Sequence, residues 1–224
     1  MASLNDIAVE HLLNAYAHGV FPMAASAHTS ELYLQDPDWR GIIPLDRVHV
    51  PRRLARTVRN TELVVRINSD FEAVIAACAE ETPDRGSTWI NREIRQLYAA
   101  LFQRGHCHTV EVWSDTRLVG GLYGVSLKGA FFGESMFSRT RDASKIALVH
   151  LCARLLAGGY VLLDTQFSTP HLEQFGTEEI PRRVFQAKLQ RALAVDAEFL
   201  TLDCAATGAE AIDIIRSAQR RSAG

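Results

Sequence analysis

Residues 108–166 read HTVEVWSDTRLVGGLYGVSLKGAFFGESMFSRTRDASKIALVHLCARLLAGGYVLLDTQ, and the changing period of this stretch decides the fold. Residues 109–113 alternate with a period of two, and Ser114-Asp115-Thr116 marks a turn. Residues 118–125 form the next strand, and Leu127-Lys128-Gly129 turns the chain into Ala130-Phe131-Phe132. This is a three-stranded antiparallel meander. Gly120, Gly121 and Gly124 inside the middle strand point to a bulge or to another chain passing close by. From about Ala143 to Ala157 the period becomes helical, and Gly158-Gly159 closes the helix. Residues 160–163 are almost wholly apolar, as a central strand should be, and the run ends abruptly in Asp164-Thr165-Gln166.

On the N-terminal side, the spacing predicts a helix over 7–18 that buries Leu12, Leu13 and Tyr16, with Gly19 ending it. Residues 19–47, with Pro22, Pro37 and Pro44, read as irregular. They suggest a small N-terminal lobe (1–38) ahead of a main domain (39–224). Pro51 opens a short helix, residues 63–67 form a strand, and Ser69-Asp70-Phe71-Glu72 reads as a capping box for a helix burying Phe71, Val74, Ile75 and Cys78. A loop through Pro83 and Gly86 carries Trp89. The next helix repeats Ile94, Leu97, Tyr98, Leu101 and Phe102 until Gly105. Beyond the central stretch, a helix starts at Pro181 with Val184, Phe185, Leu189 and Leu193 on its apolar side. Residues 199–202 are expected as an edge strand, and 209–220 as an amphipathic helix. The whole is an α+β pattern with a mixed central sheet flanked by helices.

With 224 residues, 47% of them hydrophobic, the chain can bury one large core without disulfides or metal. Its net charge is −2, from 24 basic and 26 acidic residues. That excludes a globally basic nucleic-acid coat but leaves room for a local basic patch. No run approaches the roughly eighteen apolar residues of a membrane span, and residues 1–16 carry Asp6 and Glu10 and lack a basic-then-apolar secretion pattern. Cys78, Cys107, Cys152 and Cys204 are scattered, as reduced thiols of a cytoplasmic protein are.

Two acids stand out as candidate chemistry. Asp164 lies at the C-terminal end of an apolar strand, where open sheets commonly hold their sites, and Gln166 falls on the same side if the strand continues. Glu134 follows the buried-looking Phe131-Phe132. A carboxylate at either place needs hydrogen bonds, or its pKa rises. Arg52, Arg56 and Arg59 form one stripe of the helix after Pro51, with Arg53 beside it. Such a stripe is either a solvated face or a phosphate-binding face. His106 and His108 flank Cys107 but point to opposite faces, so no metal is expected. The sequence contains no P-loop, G-x-G-x-x-G or G-x-S-x-G motif.

Several longer runs resemble the leucyl/phenylalanyl-tRNA–protein transferase family: LLNAYAHGVFP from Leu12, STWINR from Ser87, HCHTVEVW from His106, LVGGLYG from Leu118, GESMFSR from Gly133, ASK from Ala143, LDTQ from Leu163 and EIPRR from Glu179. The similarity extends from about Leu12 to about Leu193. The resemblance implies a small N-terminal lobe and an acetyltransferase-like domain. It also implies transfer of Leu or Phe from aminoacyl-tRNA to proteins with N-terminal Arg or Lys, marking them for N-end-rule degradation. Neither metal nor acyl-CoA is implied, because the tRNA ester is already activated.

Matched position by position, Asp164 and Gln166 correspond to the pair proposed to orient and deprotonate the amine, with Glu134 beside the reaction centre. Phe131, Met136, Leu151 and Leu163 correspond to an apolar aminoacyl pocket suited to Leu, Phe and Met. Trp89 and Tyr98 correspond to residues near the 3′-terminal adenosine, and Arg52, Arg56 and Arg59 to a basic cluster for the tRNA acceptor stem. Met23 stands where the family commonly has Trp, and Leu122 where a pocket Met is expected. The family's segment ahead of the first helix, with its GGD-like stretch, is not in this sequence, and residues beyond about 198 match no part of the pattern.

Two other functions fit the same pattern. An acyl-CoA-dependent N-acetyltransferase needs a glycine-bearing pyrophosphate loop, and residues 138–145 contain no glycine. A non-catalytic tRNA-binding relative would have no use for Asp164 and Gln166.

Overall fold

A computed structural model describes residues 4–81 and 87–222, so Pro83 and Gly86 lie outside the described residues. The chain runs through α1 (Leu4–Ala17), β1 (Phe21–Ala24), β2 (Leu32–Gln35), β3 (Trp39–Ile43), a 3-10 turn at Leu45–Arg47, α2 (Arg52–Asn60), β4 (Val64–Ile67), α3 (Phe71–Ala79) and α4 (Arg92–Gln103). There follow β5 (Cys107–Ser114), β6 (Arg117–Leu127), β7 (Ala130–Ser138), α5 (Ala143–Ala157), β8 (Leu162–Gln166), α6 (Pro170–Glu173), β9 (Glu178–Pro181), α7 (Arg182–Leu193) and α8 (Gly208–Ser222). Among the described residues, seven strands form one mixed sheet in the order β4-β5-β6-β7-β8-β3-β9, and β1 and β2 form a separate antiparallel pair. This is the expected α+β architecture with helices on both faces.

The meander β5-β6-β7 is antiparallel throughout. Its glycines do what their clustering suggests. The β6–β7 register shifts between Tyr123 and Gly124, and a Cβ on Gly124 would come within 2.3 Å of the Phe132 carbonyl oxygen. A Cβ on Gly120 would meet Ala143 Cβ at 2.5 Å, so Gly120 lets the start of α5 lie against the sheet. β7 and β8 are parallel. A parallel pair needs a crossover, which α5 supplies, and α5 is buried along nearly its whole length.

The structure corrects several expectations. Residues 19–47 are not irregular: they contain β1, β2 and β3, and β3 lies inside the main sheet between β8 and β9. Strands of four or five residues interrupted by proline are too short to show a period of two. Residues 199–202 form a turn, and the sheet edges are β4 and β9. The Phe199 ring stacks at 4.0 Å on His108, and Arg154 donates to the carbonyls of Phe199, Leu202 and Asp203, which removes them from any ladder. The cap of α3 is Asp70, whose carboxylate accepts from Ala73 N–H at 3.0 Å. The Ser69 hydroxyl and N–H are engaged by Glu111 instead. The last apolar strand starts at Leu162 and includes Asp164 and Gln166. The expected division after residue 38 falls between β2 and β3. Val9, Leu12, Tyr16 and Phe21 nevertheless share one apolar cluster with α3, α4 and α7.

Behind the sheet, His108 and His150 are buried near Arg154. Burial lowers both pKa values to about 4; His106 and Arg154 add to the effect at His108, and Arg154 at His150. Between pH 6.5 and 4 the unfolded chain therefore binds more protons than the native state, and stability falls as pH drops through that window. His150→Leu should flatten this fall, measured as thermal midpoint against pH; an unchanged pH slope would show that His150 does not contribute.

Candidate active site

β7 and β8 pair only from Ala130↔Leu162 to Phe132↔Asp164 and then part. A cleft of about 460 Å³ opens between them. β7 lines it from Gly133 to Ser138, β8 contributes Leu163, Thr165 and Gln166, and Ser144, Leu148 and Leu151 of α5 form another wall. Thr169, His171 and Leu172 also line it. Leu122, Met136, Leu151 and Leu163, four residues singled out in the sequence, thus meet in one apolar lining beside Glu134 and Gln166.

Glu134 is half-buried and accepts from the hydroxyls of Tyr16 at 2.7 Å and Tyr98 at 2.8 Å. The two hydroxyls are 2.5 Å apart, and the Gln166 side-chain amide lies 3.5 Å from the same carboxyl. Burial raises the Glu134 pKa to about 7. Asp164 adds to the rise, while the two tyrosine hydroxyls and Arg40 oppose it. Burial, followed by Glu134, pushes Tyr16 and Tyr98 well above the usual phenol range, so both stay protonated donors. A carboxyl that gains and loses a proton near neutrality, facing an open cleft, is suited to general acid–base work.

Asp164 is placed differently. It is fully buried and absent from the cleft lining; its two oxygens accept from Nε and Nη2 of Arg40 at 2.8 and 2.7 Å. Gln166, two residues on, lines the cleft and has a left-handed backbone (φ 57), and its N–H donates to Asp164 Oδ1 at 2.9 Å. Tyr98 is fully buried and offers only its hydroxyl to the site. Phe131 is fully buried behind the cleft, stacked on Phe199 at 5.5 Å. Trp89 and Met23 are half-buried against the α3–α4 cluster and are not among the lining residues.

On α2, Arg52 and Arg56 are exposed and form no ion pair among the described residues, whereas Arg59 pairs with Asp213 of α8 at 2.8 Å. Arg53 pairs with Asp142 at 2.9 Å, which ties α2 to the start of the α5 wall. Tyr16 and Arg40 were not legible as site residues. Tyr16 reads as one more apolar-face residue, although a buried tyrosine hydroxyl needs a partner. Arg40 lies in a stretch with no periodic signal. Among the described residues, no group of three or more His, Cys, Asp or Glu is placed to hold a metal ion, and no helix is long and apolar enough to cross a membrane.

An apolar cleft that ends in a proton-exchanging carboxyl and an amide is suited to an enzyme moving an acyl group onto an amine. The chain belongs to the leucyl/phenylalanyl-tRNA–protein transferase family. Residues 42–190 match the model described as leucyl/phenylalanyl-tRNA protein transferase, and residues 5–38 match that of its N-terminal domain. The chain is 59% identical over 199 residues to the leucyl/phenylalanyl-tRNA–protein transferase of Phenylobacterium zucineum, covering 89% of this chain and 90% of the relative. It is 56% identical over 216 residues to that of Rhodopseudomonas palustris (strain TIE-1), covering 96% of each. With that of Maricaulis maris it shares 56% over 212 residues, 95% of this chain and 98% of the relative. The Rhodopseudomonas match leaves fewer residues uncovered than α8 contains, so part of α8 has a counterpart there despite the lack of one in the sequence pattern.

Glu134→Gln should separate stability from activity. The folded-state pKa near 7 lies above the ordinary 4.5, so ionising Glu134 costs stability as pH rises from about 4.5 to 7. At pH 8 the amide variant should melt higher than the parent, and near pH 4 the two should converge; equal melting at both pH values would remove Glu134 as a strained carboxylate.

Proposed function

We propose that this chain transfers Leu or Phe from aminoacyl-tRNA to the α-amine of proteins beginning with Arg or Lys, marking them for N-end-rule degradation in the cytoplasm. The observation that carries this reading is Glu134, a carboxyl titrating near neutrality at the end of an apolar cleft in a chain of this family. Leu122, Met136, Leu151 and Leu163 hold the aminoacyl side chain, with Phe131 as packing behind them. An apolar lining distinguishes side chains by size, at ~1–3 kcal/mol per methylene, which suits Leu, Phe and Met. Trp89 and Met23 are assigned to the 3′-terminal adenosine, and Tyr98 acts there through its hydroxyl on Glu134.

Chemically, the incoming amine is an ammonium at neutral pH and must lose a proton before it attacks. Glu134, as carboxylate, takes that proton while Gln166 orients the amine. The C–N bond forms at the ester carbonyl and the C–O bond to the tRNA ribose breaks. The proton held by Glu134 then passes to the departing ribose oxygen, which leaves as a hydroxyl, and the second proton that the nitrogen sheds as the amide forms goes to solvent, so the step balances. The tRNA ester supplies the activation, and the reaction draws on neither acyl-CoA nor metal.

Arg52, Arg56 and Arg59 are assigned to the acceptor stem. Arg59 already holds Asp213, so the exposed Arg52 and Arg56 carry most of the phosphate contact.

Labelled Leu or Phe on charged tRNA should pass to peptides starting with Arg or Lys and not to one starting with Gly, and Glu134→Gln should lose the acid limb near pH 7. Transfer that ignores the peptide's first residue would refute the acceptor assignment. Arg56→Ala should weaken tRNA binding and reduce the slope of log K against log salt by roughly 1, with Arg59→Ala doing less; equal slopes for the parent and Arg56→Ala would return α2 to a solvated face.

A further inference from the structure

We propose that Arg40 and Asp164 are positioning residues: together they hold Gln166 in its left-handed backbone conformation, aim its amide at Glu134 and take no proton themselves. The proposal rests on the aminoacyl-transfer reading above. Arg40 is 1% exposed and its guanidinium is engaged on every side. Nε and Nη2 bridge the two Asp164 oxygens, Nη1 donates to the Gly19 carbonyl at 2.8 Å, and the faces lie over the Phe21 and Phe185 rings at 4.6 and 4.4 Å. Such a bidentate, stacked arrangement fixes the carboxylate in orientation as well as position.

Asp164 Oδ1 also accepts the backbone N–H of Gln166 at 2.9 Å. That bond acts on the residue whose φ of +57 is unusual for glutamine. Beyond it, the Gln166 side-chain amide lies 3.5 Å from the Glu134 carboxyl at the cleft. The β3–β8 pairing carries a matching irregularity: the register shifts between Gly41 and Ile42, opposite Gln166 and Asp164. Left-handed backbone at a non-glycine persists where its surroundings over-determine it, and here they are Arg40, Asp164 and β3. With both oxygens held by Arg40 and one shared with the Gln166 amide, Asp164 has no free face toward the cleft.

The test is a double-mutant cycle on the full-length enzyme, reading kcat and KM for the peptide and the pH profile. Asp164→Asn should lower kcat by about tenfold or more with Gln166 present and change it less than about twofold in Gln166→Ala, since coupled residues are non-additive. The residual activity of Asp164→Asn should keep an acid limb near pH 7, that of Glu134. Equal losses in both backgrounds, or loss of that limb, would make Asp164 the proton acceptor and overturn the proposal. Arg40→Lys keeps the charge but cannot bridge both oxygens, so its kcat loss should also vanish in Gln166→Ala. The paired Arg40→Gln/Asp164→Asn variant, which leaves no lone buried charge, gives the same reading should either single variant melt early. The Gln166 side-chain amide resonance, assigned by its loss in Gln166→Ala, gives a readout independent of activity. It should shift in Arg40→Lys. A shift in a parent that transfers nothing would sink the reaction while leaving the positioning intact, and an unmoved amide would sink the positioning itself.

Discussion

The parting of β7 from β8 after three residue pairs is the constraint on which the rest of the molecule depends. While the two strands pair, their parallel direction demands the α5 crossover, and α5 fills the core on one face of the sheet. Where they part, the sheet leaves a gap that side chains from both strands and from α5 line. The same short pairing ends at Asp164, so the last paired residue of β8 adjoins the two that enter the cleft. Fold and site are set by one event in the sheet.

Around that gap, buried polar groups are arranged by what each must do. Asp164 meets a guanidinium and a backbone amide, and so is held. Glu134 meets two hydroxyls and open space, and so remains free to exchange a proton. A buried carboxyl without a cation carries a desolvation cost, the kind of local instability that functional sites retain. Glu111, by contrast, is fully buried, takes donors from Ser69, Asp70, Thr109 and Trp113, and does not line the cleft.

The meander, α5 and the strand leading to Asp164 were legible because each is long enough to display its period. β1, β2, β3, α6 and β9 were not, since four or five residues hold at most two repeats and prolines interrupt several of them. For the site, the sequence located both acids and four lining residues, because apolar runs ending in acid are visible along a chain. It could not show which acid faces the cleft. That is decided by Arg40, 124 positions away, which holds both Asp164 oxygens. Tyr16 was visible as buried, but its partner Glu134 is 118 positions distant.

The place of β3 has a consequence for how the protein is made. Residues 39–43 leave the ribosome well before their two neighbours in the sheet, 162–166 and 178–181. Until those are synthesised, Arg40 is a cation without its anion and β3 a strand without a ladder. Such distant pairings form late and slowly. The sheet is therefore completed only once β9 has been made, and a chain truncated before β9 carries all of the lining residues on an unfinished sheet.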